Sequence, residues 1–502
     1  MQKIVRTRFA PSPTGFMHVG NLRSALYEFL VAKSQNGKFI LRIEDTDQER
    51  LVEGSVEHIY QTLAEVNLKY DEGPDIGGPH APYVQSERLD RYLPYAEQLV
   101  QQDKAYYCFC SKDRLDSLHQ DSELNQDSEL NEDEDSEVLD HFGYDRHCRD
   151  LDKATIDAKL AAGEPYVIRQ KMPLTGSTTF HDEIFGDISV ENKELEDQIL
   201  IKSDGYPTYN FANVIDDHEM EITHVVRGSE YLSSTPKYNL LYEAFGWEIP
   251  KYVHLPLILG SDGAKLSKRH GATTFEELSN QGYLTEAIIN YIAFLGWAPS
   301  RDTREIFSLK ELCEVFTISG ISKSPATFDY NKLDWYNEQY IRNMDVETFK
   351  DWLEPEANKF FADKTFDMDL LAEMLQNRIT KRTDLAMMLD FVKEPDPFNA
   401  EMYVHKRSKL TPELSAQVLQ IIVDRISASD TYERDYLHDL LMNLGPELEL
   451  KTGQIMNPVR IALSGRQVTP GGSIELLLLL GKEESLKRLR EAINNLKEYN
   501  DN

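Results

Sequence analysis

The sequence predicts an α/β protein, in which a parallel sheet alternates with helices before residue 275 and an all-α carboxyl-terminal half follows. The first observation is the segment 8–30, which passes from an extended stretch through a Pro/Gly turn into an amphipathic helix. The second is a series of short apolar runs before residue 275, several of which end in a charged residue. The third is the helical spacing of apolar residues from about residue 275 onward.

The segment 8–30 is where we expect the chemistry to gather. Pro and Gly residues between its strand and its helix exclude regular structure there, and Asn21 is the expected N-cap of the helix. His18 and Gly20 lie just before the helix, where unpaired backbone N–H groups and the positive end of the helix dipole favour an anion. A nucleotide phosphate is the expected ligand.

The next strand ends in a carboxylate. We interpret GKFILRIEDTD at 37–47 as a buried strand that ends at Ile43, with Glu44 at its carboxyl end. Ligands of open parallel sheets bind at that end, so Glu44 can meet a substrate ammonium group. The alternative is that Glu44 and the two aspartates after it cap a helix that starts near Gln48.

Two arginines suit a ligand with two carboxylates. Arg8 lies in the first strand, and Arg227 follows the apolar run 222–226. Guanidinium groups bind carboxylates in a bidentate manner, and glutamate is such a ligand. Tyr209 and Asn213 are one helical turn apart and share a face. The alternative for either arginine alone is a surface salt bridge.

A polar loop, GSDGAKLSKRHG at 260–271, directly follows YVHLPLIL at 252–259, which we expect to form one strand. Two lysines three residues apart in a Gly-rich loop suit a triphosphate, because they can follow the charge that builds as pyrophosphate leaves. The chain contains neither G-x-x-x-x-G-K-[ST] nor G-x-G-x-x-G, which excludes the P-loop and dinucleotide-binding classes.

APSPTGFMHVGN at 10–21 resembles the HIGH signature of class I aminoacyl-tRNA synthetases, and that of the glutamyl enzymes in particular. KLSKR at 265–269 resembles the KMSKS signature of the same class. The resemblance implies a Rossmann-type catalytic domain that uses ATP and Mg²⁺ to activate L-glutamate and transfers it to tRNA(Glu). The catalytic residues it implies are His18, Gly20, Lys265 and Lys268. The residues it assigns to ATP are Pro11, Ser12, Gly15, His18, Gly20, Asn21, Lys265, Leu266, Ser267, Lys268 and Arg269. Those it assigns to glutamate are Arg8, Ala10, Ser12, Glu44, Tyr209, Asn213 and Arg227.

Three of the four cysteines cluster in a way that suggests metal or structure. Cys108 and Cys110 precede Tyr144 and Cys148, and some synthetases of this family bind zinc at a similar arrangement. Three thiolates brought together by a hairpin suit a tetrahedral zinc site, with Tyr144, His147 or Asp150 as the fourth ligand. Plain buried cysteines are the alternative.

The net charge of the chain disfavours binding to RNA. The formal charge is −32, and such a field repels a polyanion. Ten of the acidic residues fall within 121–140, which has no Lys or Arg and contains an acidic near-repeat at 121–138. This repeat has too few apolar groups to fold alone, so we expect a solvated loop or, alternatively, a partner-binding acidic segment. Binding of tRNA must rely on local basic residues.

The chain is too long for one core, and the resemblance implies several domains. Residues 1–104 and 197–274 form the two halves of the Rossmann domain, with an α+β connective insertion at 105–196. A helical stem-contact region at 275–343 and an α-helical anticodon-binding domain at 344–502 follow. For tRNA contact, the candidates are Arg378, Arg382 and Arg460.

No apolar run approaches the ~20 residues of a membrane span, nothing resembles a signal peptide, and four cysteines fit a reducing cytoplasm. The resemblance favours a monomer.

A glutamyl-queuosine ligase would lack the helical carboxyl half, and a glutaminyl enzyme would more commonly carry β-barrels there. A non-catalytic RNA-binding paralogue would have a broken signature, whereas His18, Gly20, Lys265 and Lys268 are all present.

Overall fold

A computed structural model describes residues 3–47, 50–117, 144–362, 365–406 and 409–501. The acidic repeat at 121–138 and Gln48 lie outside these residues. The chain divides into two compact units. The first comprises Met1–Glu277 and Ile289–Asp329, and the second comprises Leu278–Ile288 and Tyr330–Asn502.

A parallel sheet organises the first unit. Its strands are β1 (Arg6–Phe9), β2 (Lys38–Leu41), β5 (Ser177–Asp182), β6 (Gly186–Glu191), β8 (His224–Gly228) and β9 (Lys251–Leu255). Strand β1 pairs in parallel with β2, and β9 pairs in parallel with both β8 and β5. Strand β6 adds an antiparallel edge. The Thr223 N–H donates to the Arg6 carbonyl (3.0 Å), which brings β8 beside β1. This is the Rossmann-type sheet that the sequence predicts.

Helices alternate with these strands. They are α1 (Val19–Lys33), α2 (Ser55–Glu65), α3 (Leu89–Gln101), α4 (Lys153–Ala161), α5 (Tyr209–Glu219), α6 (Thr235–Phe245), α7 (Phe275–Asn280), α8 (Thr285–Ala293) and α9 (Leu309–Val315). Helix α1 directly follows β1 through the Pro/Gly turn and packs against β1 and β2. A core cluster forms where Tyr92 of α3, Phe211 of α5 and Leu241 of α6 pack together.

A second, antiparallel sheet has the order β3 (Ala105–Cys108), β4 (Val167–Gln170) and β7 (Ile199–Ile201). The sequence analysis assigns β7 to the second half of the catalytic domain, yet β7 pairs with β4 of the predicted insertion. Conversely, β5 lies within the predicted insertion and pairs with β9 of the catalytic sheet. Strand pairing therefore crosses the predicted boundary between residues 196 and 197.

Two predicted strands are shorter than expected. The prediction of a single strand over 252–259 is wrong. Pro256 has no N–H to donate and separates β9 from β10 (Ile258–Leu259). Strand β10 pairs instead with β11 (Ala326–Thr327). Strand β2 ends at Leu41, and Ile43 forms an isolated parallel bridge with Val84.

The second unit is helical. Its helices are α10 (Tyr330–Asn343), α11 (Val346–Phe361), α12 (Met368–Leu375), α13 (Asp384–Met388), α14 (Pro412–Ala428), α15 (Arg434–Glu447), α16 (Thr452–Ser464) and α17 (Ser473–Asp501). Helix α17 is interrupted at Gly481, which has a φ of 75°. Beyond residue 343, the only β pairing among the described residues is an isolated bridge between His405 and Leu410. The predicted all-α half is confirmed. None of the described helices has the length and apolar character needed to cross a membrane.

Candidate active site

His18 caps the N-terminus of helix α1. Its Nδ1 accepts a hydrogen bond from the Gly20 N–H (3.1 Å), so His18 is the N-cap. The prediction that Asn21 caps this helix is wrong, because the chain becomes helical at Val19 and Asn21 is an exposed residue of the first turn. The imidazole acceptor takes the place of the amide oxygen that an Asn N-cap supplies. The Val19 N–H donates to the Thr273 carbonyl, so Asn21 is the first-turn residue whose N–H has no acceptor among the described residues.

The His18 ring has a defined tautomer. An Nδ1 that accepts a hydrogen bond leaves the neutral ring with its proton on Nε2. Burial lowers the pKa of His18, and the Lys265 ammonium lowers it further, against the opposing charge of Glu277. The ring is therefore neutral near pH 7 and offers Nε2–H as a donor.

Backbone hydrogen bonds join the first signature segment to the residues that directly follow the KLSKR loop. His18 forms an antiparallel bridge with Thr274, and the Val19 N–H donates to the Thr273 carbonyl (2.8 Å). Lys265 bridges Leu259 at the start of the loop and has an exposed side chain. The first signature segment thus lies beside the backbone that follows the loop, and Lys265 is near enough to His18 to affect its ring.

The KLSKR loop is held at its base. The His270 Nδ1 accepts from the Ser267 N–H (3.0 Å), and Nε2 lies 2.9 Å from Asp262 Oδ1. Leu266 is buried, whereas Arg269 is exposed and lies 3.2 Å from Asp262. The backbone of Lys268 starts a short 3₁₀ helix, and its side chain lies outside the described part of the structure.

The Pro/Gly turn lines the space before His18. The Pro11 carbonyl accepts from the Glu44 N–H (3.1 Å), and Ala10 is half-buried beside it. Ser12 is exposed, and its carbonyl accepts from the Thr14 N–H. Gly15 has a φ of 131°, a conformation that residues with a Cβ rarely adopt.

Glu44 is buried with one oxygen free. Its Oε1 accepts from Arg42 Nη2 (2.8 Å) and Nε (3.1 Å), whereas the buried Oε2 has no hydrogen-bond partner among the described residues. Burial raises the pKa of Glu44, and the charges of Arg42 and Arg8 oppose this rise. Glu44 therefore forms an ion pair, and the helix start near Gln48 that the alternative requires lies outside the described residues. A buried free acceptor in this place suits a cationic ligand group.

Arg8 belongs to the same buried ionic network. Its Nε donates to Asp217 Oδ1 (2.9 Å), and that oxygen also accepts from Arg42 Nη1 (2.8 Å). Arg8 Nη1 lies 3.7 Å from Glu28 Oε1. The charges of Arg8 and Arg42 outweigh burial and lower the pKa of Asp217. Arg8 is thus buried and paired, not on the surface, and its Nη2 has no protein partner in the described structure.

Arg227 lies at the carboxyl end of β8 and is also buried. Its Nε donates to His254 Nε2 (3.1 Å), and its Nη2 donates to Thr235 Oγ1 (2.9 Å). The rings of Tyr231, Tyr238 and Tyr252 lie 4.6–5.6 Å from the guanidinium carbon. The described residues provide no hydrogen-bond partner for Nη1, which remains free for a ligand.

Helix α5 carries Tyr209 and Asn213, and together with Arg8, Glu44 and Arg227 these residues make up what we call the candidate glutamate pocket. Asn213 is buried, and its Nδ2 has no hydrogen-bond partner in the described part of the chain. The Tyr209 ring lies 5.7 Å from that of Tyr231, and burial together with the charge of Glu44 raises the pKa of Tyr209. The pocket therefore offers free nitrogen donors and one free carboxylate oxygen. This set complements an ammonium group and carboxylates on one small molecule.

The sequence analysis missed the residues that hold this pocket. Arg42 is two residues before Glu44, and side chains at that spacing share a face of a strand. Asp217 is four residues after Asn213, on the same face of the helix. His254 is a polar residue inside an apolar strand. These spacings are local signals, but which residues they contact depends on strand order.

The thiol groups of Cys108, Cys110 and Cys148 lie within 4.8 Å of one another. Tyr144 Oη lies 3.2 Å from Cys108 Sγ and 3.6 Å from Cys110 Sγ, and Cys110 Sγ lies 3.6 Å from Cys148 Sγ. Tetrahedral zinc with Zn–S bonds of ~2.3 Å needs sulfur atoms about 3.8 Å apart, so the residues present fit the ion. The Arg169 guanidinium lies 3.9 Å from the Tyr144 ring centre. His147 and Asp150 are exposed, which leaves Tyr144 as the nearest fourth ligand.

The three arginines predicted to contact tRNA differ in exposure. Arg378 is exposed, and Arg382 is half-buried. Arg460 Nη1 donates to the Gln467 carbonyl (3.1 Å), and its Nε is buried without a partner among the described residues. All three lie in the second unit.

The chain matches two family models. The catalytic domain of class I tRNA synthetases (E and Q) matches residues 4–335, and an anticodon binding domain matches residues 334–493. The glutamate–tRNA ligase of Clostridium botulinum (strain Loch Maree) is 54% identical over 497 residues, which are 99% of each chain. That of Clostridium novyi is 52% identical over 499 residues, again 99% of each chain.

Solved structures agree over the whole length. A glutamate tRNA ligase from Elizabethkingia meningosepticum, in complex with its amino acid, is 36% identical with a TM-score of 0.86. The alignment covers 98% of this chain and 100% of that one. The glutamate-tRNA synthetase of Elizabethkingia anophelis gives the same values. The chain therefore belongs to the glutamyl and glutaminyl family of class I tRNA synthetases.

Proposed function

We propose that the chain is a glutamate–tRNA ligase, which activates L-glutamate with ATP and transfers the glutamyl group to the 3′-terminal adenosine of tRNA(Glu). One observation carries the proposal. The pocket at the strand ends has a free carboxylate oxygen on Glu44 and free donors on Arg227 and Asn213. It lies beside a helix N-terminus that suits phosphate. An amino acid with a second carboxylate matches this set.

Positioning and electrostatics account for the chemistry. The α-carboxylate of glutamate attacks the α-phosphate of ATP, and pyrophosphate leaves. His18 Nε2–H, the positive end of the α1 dipole, Lys265 and Lys268 stabilise the charge on the phosphates. Mg²⁺ enters with the triphosphate as part of the substrate. No side chain needs to act as a nucleophile.

Zinc at the thiol cluster would be structural. Cys108, Cys110, Cys148 and Tyr144 would hold it, and zinc there would tie β3 to the segment around Cys148. The Arg169 guanidinium would offset the negative charge of the thiolates. None of the four cysteines forms a disulfide, which agrees with a reducing cytoplasm. We also propose that the protein is a monomer.

Aminoacylation by the purified protein tests the function. The assay contains labelled glutamate, ATP, Mg²⁺ and either purified tRNA(Glu) or tRNA(Gln). Charging of tRNA(Glu) alone indicates a discriminating ligase, and charging of both tRNAs indicates a non-discriminating one. Charging of neither would contradict the proposal and favour a non-catalytic RNA-binding paralogue.

A further inference from the structure

Three neighbouring strands of the parallel sheet each contribute one polar side chain to a hydrogen-bonded row. Asp182 is the last residue of β5, His254 lies in β9, and Arg227 lies in β8. Arg227 is directly opposite His254 in the β8–β9 register, and Asp182 pairs with Tyr252 of β9. The three side chains therefore form a row that crosses the sheet and ends at the candidate glutamate pocket.

The donor and the acceptor of each hydrogen bond along this row can be assigned. Asp182 Oδ2 lies 2.7 Å from His254 Nδ1, and His254 Nε2 lies 3.1 Å from Arg227 Nε. A guanidinium can only donate, so His254 Nε2 must be the acceptor and the ring proton must be on Nδ1. Asp182 Oδ2 accepts the hydrogen bond from His254 Nδ1–H and thereby fixes the tautomer of the ring. Its other oxygen accepts from the N–H groups of Ile184 and Phe185, which hold the carboxylate in place.

The row is shielded from water. Asp182 and His254 have no exposed surface, and Arg227 is 6% exposed. Without the His254 ring, the buried Arg227 Nε would lose its hydrogen-bond acceptor. Burial lowers the pKa of His254 and the charge of Arg227 lowers it further, while Asp182 and Glu230 oppose them. The ring stays neutral near pH 7, as an acceptor toward Arg227 requires.

We propose that Asp182 and His254 are positioning residues for Arg227, which hold its guanidinium so that the free Nη1 faces a carboxylate of the substrate. The inference rests on the proposed function. The proposal gives β5, a hairpin strand within the predicted insertion, a part in amino acid recognition. A guanidinium anchored at Nε and Nη2 has lost its rotational freedom before the substrate arrives, which lowers the entropic cost of binding.

Two substitutions of His254 separate its two hydrogen bonds. His254→Asn keeps a donor near the position of Nδ1 but has no acceptor near that of Nε2. His254→Gln reaches the position of Nε2 and restores an acceptor for Arg227. A third variant, Asp182→Asn, leaves the imidazole in place but presents an amide donor to Nδ1, which favours the wrong tautomer.

The measurement is steady-state aminoacylation of tRNA(Glu) by the full chain, with KM determined separately for glutamate and for ATP. We expect His254→Asn and Asp182→Asn to raise the KM for glutamate about tenfold or more, with the KM for ATP within about twofold. We expect His254→Gln to recover part of the loss. His224→Asn is the matched control, because His224 is a buried histidine at the opposite end of β8, and among the described residues its side chain hydrogen-bonds only to Thr223.

An unchanged KM for glutamate in His254→Asn would overturn the positioning role. Equal rises in the KM for glutamate and for ATP would also overturn it, since they indicate a general structural defect. If the unsubstituted chain charges neither tRNA with glutamate, the proposed function fails. Charging by the unsubstituted chain with no effect of the three variants overturns only this inference.

Discussion

At the scale of single residues, the free oxygen of Glu44 is the most specific feature of the pocket. Arg42 binds Oε1 from two nitrogens and keeps Oε2 available in a buried environment. A hydrogen bond between charged groups contributes about 1.5–3 kcal/mol, more than one between neutral groups. The carboxylate and its neutral amide isostere should therefore bind a substrate ammonium with different strengths.

We expect Glu44→Gln to raise the KM for glutamate about tenfold to hundredfold, because an amide loses the charge that the ammonium meets. The KM is measured by aminoacylation with glutamate as the varied substrate. Asp71→Asn is the control, since Asp71 lies at the other end of β2 and accepts from Lys33 and the Phe39 N–H. A KM for glutamate that stays at the value of the unsubstituted chain would remove Glu44 from ammonium recognition.

His18 should give the activity a dependence on pH. Its pKa lies below the ordinary value of 6.5, so the neutral ring predominates above that pH and protonation occurs only as the pH falls further. Protonation removes the Nδ1 acceptor of the Gly20 N–H. We expect kcat/KM to be flat from about pH 7 to about pH 8 and to fall at acid pH.

The pH profile of His18→Asn distinguishes this group from others. Asn keeps a capping oxygen but does not titrate, so the acid limb assigned to His18 should disappear while kcat falls. An acid limb that stays unchanged in His18→Asn would assign the titration to another group.

The residues of the site were predictable to the extent that motifs and local spacing define them. Tyr209 and Asn213 could be placed on one face from their spacing alone. Their partners could not, because Asp217 contacts Arg8 across a sequence separation of 209 residues. The N-cap was also missed, since His can supply the capping acceptor that Asn21 was expected to provide.

At the scale of elements, the KLSKR loop connects β10 to the segment that bridges α1. Lys265 lies close enough to His18 to lower the pKa of its ring. We expect Lys268→Ala to lower the rate of glutamate activation well beyond its effect on glutamate binding, and Lys265→Ala to do so to a smaller degree. The rate is measured by pyrophosphate exchange in the presence of tRNA, and glutamate binding by its KM.

Lys202→Ala is the control for this loop, because Lys202 pairs with Asp204 outside the two signature segments. Equal losses in activation rate and in glutamate binding for Lys268→Ala would contradict a role in the transition state.

The thiol cluster should behave as one stabilising element. Loss of one ligand from a structural zinc site removes much of the binding free energy, which is also folding free energy. We expect Cys148→Ser to lower the melting temperature and the zinc content measured by atomic emission. Cys313→Ser is the control, since Cys313 lies outside the cluster and burial raises its pKa to about 11. Absence of zinc in the unsubstituted protein purified without chelators would contradict the site.

The order of helices and strands follows closely from periodicity, but the pairing of strands does not. Strand β7 has three residues, and nothing in their sequence selects β4 over the parallel sheet. In the run 252–259, apolar periodicity is continuous, yet Pro256 lacks the N–H that a central strand requires. Sheet assignment is a property of long-range contacts, which local patterns do not encode.

At the scale of the whole molecule, the charge of −32 must be reconciled with an RNA partner. The summed field disfavours non-specific binding of a polyanion. Specific binding then depends on basic side chains that acidic neighbours do not neutralise. In the second unit, Arg425 and Arg434 form ion pairs with glutamates, whereas Arg378 is exposed and has no ion pair among the described residues.

Arg378 is therefore our candidate for discrimination between tRNA(Glu) and tRNA(Gln). An exposed guanidinium can read base edges and phosphates, whereas glutamine keeps hydrogen bonding without charge. We expect Arg378→Gln to change the ratio of kcat/KM for charging the two tRNAs, with the KM for glutamate unchanged. Arg434→Gln is the matched control, since the Arg434 guanidinium is already paired with Glu373. If both tRNAs lose activity equally in Arg378→Gln, the side chain contributes only general attraction to the phosphate backbone, and discrimination must come from other residues.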